Sequence, residues 1–435
     1  MLAVGVGAQG AFSAYNQGLP ALGPALQAQF QVGLTQTGVL LASANAGVVL
    51  TLLAWGLLTD RVGERPVLVV GLAGAAGALA IGAFAPGYWP LAGALVLAGM
   101  LGSCSNAATG RAVMAWFGRR QRGTALGIRQ MATPLGGGVA ALALPALTAR
   151  GGLRAALLAL AGCLLAAALA SARWIRNPPA AAGAPVAAEP GGAAPGGAGQ
   201  APGPVRDRRI WRLATGGALL VAGQLSLVSY LTLFLAGERG WPAGQAAMVL
   251  AVVQLGGAAM RVAAGRWSDR RGVRIAPMRE LALLGTCLLA ATALLTSAPG
   301  ALLIPVLTVT GIVSMSSNGL AFTATGEIAG QARAGSAMGL QNTALFTAGA
   351  VAPVVFGAVA EHIGWPAGFA LLALLAAAGW RLLTPLQAQE RAGWGARGAG
   401  PGGPDAGARV ARRGRRFPHE TDDARHALSA CAAAR

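Results

Sequence analysis

Long apolar runs alternate with short clusters of Gly, Pro and Arg over most of this chain. Each run approaches the ~20 residues an α-helix needs to cross a bilayer. Twelve helices are predicted from the runs. The first six are roughly 3–27, 35–58, 66–85, 90–115, 123–147 and 153–175. The last six are roughly 210–236, 244–266, 276–297, 301–324, 335–359 and 365–386. An irregular crossing would leave backbone groups unpaired in hydrocarbon, so each run is read as helix. Two stretches break the pattern. The segment 177–209 and everything after Gln387 are rich in Ala, Gly and Pro. Neither can bury enough apolar surface to fold. The expected organisation is an N-terminal six-helix bundle (1–176), a cytoplasmic Pro/Gly-rich linker (177–209), a C-terminal six-helix bundle (210–386) and a disordered cytoplasmic tail (387–435).

Composition excludes a soluble protein. Of 435 residues, 55% are hydrophobic and only 11% charged, too few for a water-facing surface. All the basic residues are Arg, and the net charge is +19. Their placement gives that charge its meaning. One set of loops holds Arg61 and Arg65; Arg119, Arg120 and Arg122; Arg266, Arg270, Arg271 and Arg274; and Arg333. The opposite set holds only Arg150, Arg154 and Arg239. The rich set is predicted to face the cytosol of a bacterial inner (plasma) membrane, with both termini. The same bias removes a nucleic-acid reading. The tail segment Ala411–Arg416 reads either as a contact for anionic lipid or as having no role. Cys104, Cys163, Cys287 and Cys431 lack disulfide or metal-ligand spacing, and the first three are expected to fill space in apolar runs. The N-terminus lacks the basic start of a cleaved signal peptide.

The chain repeats itself. Asp60 and Asp269 are 209 residues apart, as are Asn45 and Gln254. "GTALGIRQ" from Gly123 and "GSAMGLQN" from Gly335 are 212 apart, as are the Ser-Asn pairs Ser105–Asn106 and Ser317–Asn318. Two six-helix halves in the same orientation follow, related by an axis along the membrane normal. Between the second and third helices the chain has Gly56, Leu58, Asp60, Arg61, Gly63 and Arg65. The second copy has Gly265, Asp269, Arg270, Gly272 and Arg274, with Trp267 in place of Leu58. These clusters match the G-x-L-x-D-R-x-G-x-R signature, so the chain over about 3–386 resembles a major facilitator superfamily transporter. The resemblance implies an all-α transmembrane fold of twelve helices, in two bundles related by pseudo-two-fold symmetry. It implies transport rather than an enzyme.

The same resemblance implies a gating role for Gly56, Asp60, Arg61, Gly63, Arg65, Gly265, Asp269 and Arg270. A carboxylate at a helix C-terminus meets the negative end of the dipole and needs an outside partner. In the family the aspartate braces against the start of the eleventh helix, here near Gly335. By symmetry Asp269 is expected against the fifth helix near Gly123. Gly56 is expected to allow close helix approach, and Gly63 a tight turn. The rival view is that these charges only mark the inner face.

Substrate sites in such folds lie near mid-membrane between the halves. No Asp or Glu occupies the middle of any predicted span. That argues against a carboxylate proton relay and against cationic drugs. Positive charge is present instead. Arg261 lies eight residues before Asp269, ~12 Å along a helix. Monocarboxylate and nitrate porters of the superfamily resemble the chain here. The repeat counterpart is Leu52, so the nitrate porters' two-arginine clamp is not matched. Arg261 reads equally as a structural residue that snorkels or pairs. Arg129 could reach a cavity or the inner face, and Arg111 is expected to snorkel. The neutral candidates are Tyr15, Asn16, Asn45, Gln130, Tyr230, Gln254, Gln341 and Asn342, with Gln17, Asn106, Gln224 and Asn318 as further amides. Many buried amides merely join helices. The first helix should weaken over Gln17–Pro24 and free backbone groups there. Pro134 to Gly138 partly matches the antiporter motif and predicts a kinked, closely packed helix. Leu95 stands where proton-coupled drug exporters carry an arginine.

The expected function is rocker-switch transport of a small organic or inorganic anion. "GIRQMATPLGG" and "NAATGRAV" resemble cyanate permease relatives. The alternatives are multidrug or small-molecule efflux and a transporter-like sensor. The expected partners are a small anionic substrate and the bilayer. A monomer is expected, with no metal, no cofactor and no nucleic acid. On the latch reading, Asp60→Asn should fold normally, yet transport slowly and rest in a different conformation. Wild-type transport rates in proteoliposomes would sink the latch.

Overall fold

The structure is a computed structural model that describes residues 2–109, 119–175, 206–330 and 334–392. The side chains of 2, 60, 119–128 and 334–336 are outside that description. The described residues are helical almost throughout, without strands.

The first crossing is α1 (Leu2–Gly18), a 3-10 turn (Leu19–Leu22) and α2 (Gly23–Phe30). Pro20 and Pro24 explain the interruption the sequence anticipated. Neither carries an N–H, so the α-helical ladder cannot run unbroken through them. Next come α3 (Leu34–Val62), α4 (Glu64–Gly82) and α5 (Tyr88–Gly102), the last resuming as helix over 104–109. α6 (Arg119–Trp174) holds the fifth and sixth crossings in one element. Its dihedrals depart from helical only at Gly151 (φ −139°) and Gly152 (φ 66°). This glycine pair is the connection between the fifth and sixth crossings, where the missing Cβ permits left-handed backbone, while Pro134 lies within helical dihedrals.

The second half contains α7 (Arg208–Leu233, ending in a π turn, Phe234–Glu238), α8 (Ala243–Arg271) and α9 (Ile275–Leu294). These are followed by α10 (Gly300–Ser314), α11 (Ser317–Ala329), α12 (Ala334–His362), α13 (Trp365–Leu382) and α14 (Thr384–Arg391). Within the first half α1 packs on α6, α4 on α5 and α6, and α3 on α5. Within the second, α7 packs on α12 and α13, and α9 on α10 and α13. Two long seams join the halves, α3 with α12 and α6 with α8. The described part of the predicted linker and tail is small, and 176–205 and 393–435 are outside the description.

Hydrocarbon on the outside removes the hydrophobic drive between helices, so close backbone approach must supply the packing. A Cβ on Gly99 would lie 2.3 Å from the Ala44 carbonyl oxygen, and one on Gly47 would lie 2.2 Å from that of Val96. The repeat carries this crossing into the other half. Gly311, 212 residues after Gly99, faces Val253, which is 209 residues after Ala44. The helix breaks recur as well. α5 is interrupted at Ser103, and the tenth crossing at Met315, again 212 residues on. Cys104 fills a similar gap against Gly71, while Cys163 and Cys287 are exposed and do not fill the core as expected.

Gly99→Ala should destabilise the detergent-purified protein by about 1–3 kcal/mol through overpacking against backbone. Gly77→Ala, where an added Cβ meets nothing within 4 Å, should be neutral. Equal thermal midpoints for the two variants would refute this account of the α3–α5 crossing.

Candidate functional site

The two ends of the molecule differ. At the end away from the arginine-rich loops the halves are tied together. Glu361, near the end of α12, accepts from the Thr35 backbone N–H (2.7 Å) and hydroxyl (2.6 Å) at the start of α3. A carboxylate there meets free N–H groups and the positive end of the helix dipole. Tyr230 donates to the Leu34 carbonyl (2.8 Å). Its hydroxyl occupies the space where a Cβ on Gly38 or Gly357 would fall, at 2.1 and 2.0 Å. Tyr230 was expected at substrate; its hydroxyl instead closes this end. A ring cluster of Phe356, Trp365, Phe234 and Phe369 backs it.

Deeper in, each seam uses one amide and one glycine. Asn45 on α3 donates to the Gly349 carbonyl of α12 (3.4 Å) and accepts from Asn16 (3.2 Å). Gln254 on α8 donates to the Gln17 carbonyl (3.2 Å) and lies 2.5 Å from where a Cβ on Gly137 of α6 would stand. Asn45 and Gln254 are repeat mates, and so are Gly349 and Gly137. The break in the first crossing contributes here, since Thr232 of α7 donates to the Pro20 carbonyl (2.6 Å). Asn45 and Gln254, expected at substrate, thus bond across the seams, and Asn16, likewise expected there, bonds Asn45 within its own half. Among the described residues the Oδ1 of Asn16 and Oε1 of Gln254 have no hydrogen-bond partner. Tyr15, also expected at substrate, has a helix partner as well. It is fully buried, and its hydroxyl donates to the Leu95 carbonyl (2.5 Å), tying α1 to α5.

One step toward the arginine-rich end lies a charged polar layer. Arg129 of α6 donates Nε–H to Thr109 Oγ1 (2.7 Å) and an Nη2–H to the Asn106 carbonyl (2.8 Å). Longer contacts run to Gln9 Oε1 and Gln130 Oε1, both 3.5 Å. Gln9 also donates to Asn106 Oδ1 (3.1 Å). Arg261 of α8 donates to the Met315 carbonyl (3.1 Å), freed where the tenth crossing breaks, and to the Gln130 carbonyl (3.3 Å). Both guanidinium groups, one from each half, therefore converge on Gln130.

Among the described residues no carboxylate lies within ion-pair reach of either arginine. A cation at this depth costs about 3 kcal/mol on insertion scales, and hydrogen bonds to charged groups return about 1.5–3 kcal/mol each. The neutral oxygens can hold the charges in place without cancelling them. Arg261 uses two of its five N–H groups here. Arg129, Gln130 and Arg261 all keep some exposed surface. The arrangement can bind a second, anionic set of oxygens.

The second half carries weaker echoes of this layer. Asn318 donates to Gln224 Oε1 (3.2 Å), matching the Gln9–Asn106 pair, and Thr325 donates to Gln341 Oε1. Gln341 is the repeat mate of Arg129, so at this one position a cation in the first half answers to a neutral amide in the second. Asn342 is part-buried.

At the arginine-rich end the second motif copy folds on itself. Gly272 (φ 65°) turns the chain, and Arg274 pairs with Asp269 and with Glu327 (2.9 Å). Asp269, 68% exposed, has a described partner five residues away in its own loop, while the side chains near Gly123, against which it was expected to brace, lie outside the described residues. Arg271 pairs with Glu280 (2.8 Å). Arg61 and Arg65 are exposed, and Gly63 takes a φ of 87°, as its turn requires. In this conformation a Cβ on Gly56 or Gly265 would meet nothing within 4 Å, so neither glycine lies at a close helix crossing here. The Asp60 side chain, Arg111 and the surroundings of Gly123 and Gly335 lie outside the described residues.

Gln9, Thr109 and Glu361 escaped the sequence reading. Gln9, Ser13, Asn16 and Gln17 form an i, i+4, i+7, i+8 polar stripe on an apolar helix, a signal that could have found Gln9. No pattern links Thr35 to Glu361 across 326 residues.

Known proteins bear on this architecture. Residues 6–353 match the Major Facilitator Superfamily. Rv2994, an uncharacterized MFS-type transporter of Mycobacterium tuberculosis strain H37Rv, is 33% identical over 372 residues, 85% of this chain and 81% of that protein. MT3072, of the CDC 1551 strain, is 32% identical over the same shares. A bacterial homolog to the human lysosomal transporter Spinster, solved in an inward-facing and occupied conformation, matches with a TM-score of 0.68 at 15% identity. That match covers 89% of this chain and 94% of that one. The nucleoside transporter NupG gives 0.66 at 13% identity over 88% and 98%. At such identities the likeness is one of fold. The family match over most of its length, with curated relatives at a third identity, makes this chain a multi-pass membrane transporter belonging to the Major Facilitator Superfamily.

Proposed function

We propose that this transporter carries a small organic or inorganic anion by rocker-switch alternating access. One observation carries the reading. Arg261 reaches across from the other half to Gln130, the chain neighbour of Arg129, which contacts it too, and among the described residues no carboxylate answers either cation. An anion held there is gripped by both moving bodies, so its release is coupled to their separation. The likeness of "GIRQMATPLGG" to cyanate permease relatives is in keeping with an anion.

The arginine-rich end faces the cytosol, on the positive-inside rule. Both termini and the linker are then cytoplasmic, and the two bundles meet across the linker at 177–209. In this topology the far-end seal is on the outer side, and the conformation is closed outward. Asn45, Gln254 and Tyr230 belong to that seal, and the open surroundings of Gly56 and Gly265 fit an inner side that is not closed. Drug efflux finds little support, since a lipophilic cation would meet two fixed positive charges and, among the described residues, no acidic group in the polar layer.

In proteoliposomes, Arg261→Gln should cut uptake of the anion at least tenfold, from the loss of a charged hydrogen-bond pair worth about 1.5–3 kcal/mol. A thermal-shift screen of anions on the wild-type protein selects the substrate to load. Undiminished anion uptake, or lipophilic-cation export abolished by the same substitution, would overturn the reading. Binding without flux would make the protein a sensor.

A further inference from the structure

We infer that the ligand is a dianion, two negative charges a few bonds apart, of the kind found in short dicarboxylates and phosphate monoesters. The inference rests on the anion reading above and adds a charge count to it. The polar layer holds two guanidinium groups and, among the described residues, no acidic partner for them. In an apolar surrounding the favoured complex is the one nearest neutrality, because residual charge costs most where water is least. A monoanion leaves one cation unanswered. The broken end of α10 reduces the excess only in part. Its Met315 carbonyl faces Arg261, and a helix terminus carries about half a charge.

Geometry supports the same count. Gln130 offers its two oxygens to the two cations, Oε1 to Arg129 at 3.5 Å and the backbone oxygen to Arg261 at 3.3 Å. The two acceptor positions are thus separated by no more than one glutamine side chain. Gln130 holds, in neutral form, the kind of place a ligand with two oxyanion ends would fill. The Arg129 contacts to Gln130 and Gln9 are long, so exchanging them for a charged acceptor gains interaction energy. The repeat shows how particular this is. The mates of Arg129 and Arg261 are Gln341 and Leu52, so neither cation is repeated in the other half.

The test uses the full chain in nanodiscs and three probes: succinate, methyl phosphate and butyrate. Titration calorimetry on the wild type should show succinate, methyl phosphate or both binding at least tenfold tighter than butyrate, the two dianions distinguishing a dicarboxylate from a phosphate site. Gln130→Glu places one fixed negative charge between the cations. It should weaken the dianions at least tenfold and leave butyrate unchanged or tighter. Arg129→Gln, which removes one positive charge, should invert the preference in the same direction and serves if the first variant does not fold. Butyrate binding as tightly as both dianions would overturn the dianion inference while leaving the anion reading intact. No binding of any of the three by folded wild-type protein would overturn both. Loss of all three probes together in Arg129→Gln, with no change in preference, would also refute the charge count.

Discussion

Every carbonyl released where a helix breaks inside an apolar layer must find a donor, and this constraint organises the molecule. The first crossing breaks at Leu19–Leu22, the fourth at Ser103 and the tenth at Met315. In each case the nearby carbonyls are met by side chains from other helices. Thr232 reaches Pro20, Thr51 and Trp55 reach Met100, and Arg261 reaches Met315. Three of these four contacts stay within a half, and one, from Thr232, joins the halves. The broken helices create the polar points through which the bundles hold one another and through which a charge can be kept at depth.

The duplication laid down a symmetric frame, and later substitutions made it asymmetric. Amide-on-glycine contacts, close Gly crossings and helix interruptions all recur at offsets of 209 or 212. The charges do not. Arg129 and Arg261 lie in different halves at positions that are not repeat mates, yet they arrive at the same residue. The result is a polarised layer within a nearly two-fold scaffold. The salt links at the arginine-rich end contribute little to holding this together, because exposed pairs such as Arg271–Glu280 are each worth about 0–1 kcal/mol.

Much of the fold was legible from the pattern of apolar runs, because only helices can cross hydrocarbon. The offsets between Asp60 and Asp269, and between the two Ser-Asn pairs, located the halves and their register. The interruption at Gln17–Pro24 was readable from two prolines. What the sequence could not display was direction around each helix axis. Tyr15 and Asn16 are adjacent, yet one binds a neighbouring helix carbonyl and the other the Asn45 amide. Nor could it display which of two conformations brings Gly56 against a neighbour. The convergence of Arg129 and Arg261 depends on the seam between α6 and α8, built by Gly137 and Gly138 against Gln254 and Leu255, and no local pattern encodes that distance.

Most hydrogen bonds that close the far end are accepted by main-chain oxygens: those of Gln17, Pro20, Leu34 and Gly349. A main-chain oxygen is retained whatever residue bears it. The closing machinery therefore tolerates drift at the accepting positions, provided the backbone path and the few donors survive. The layer that discriminates ligands is built differently, from individual side chains. Descendants of such a protein can exchange one cargo for another by a handful of replacements around Gln130, while the mechanical part of the cycle is inherited unaltered.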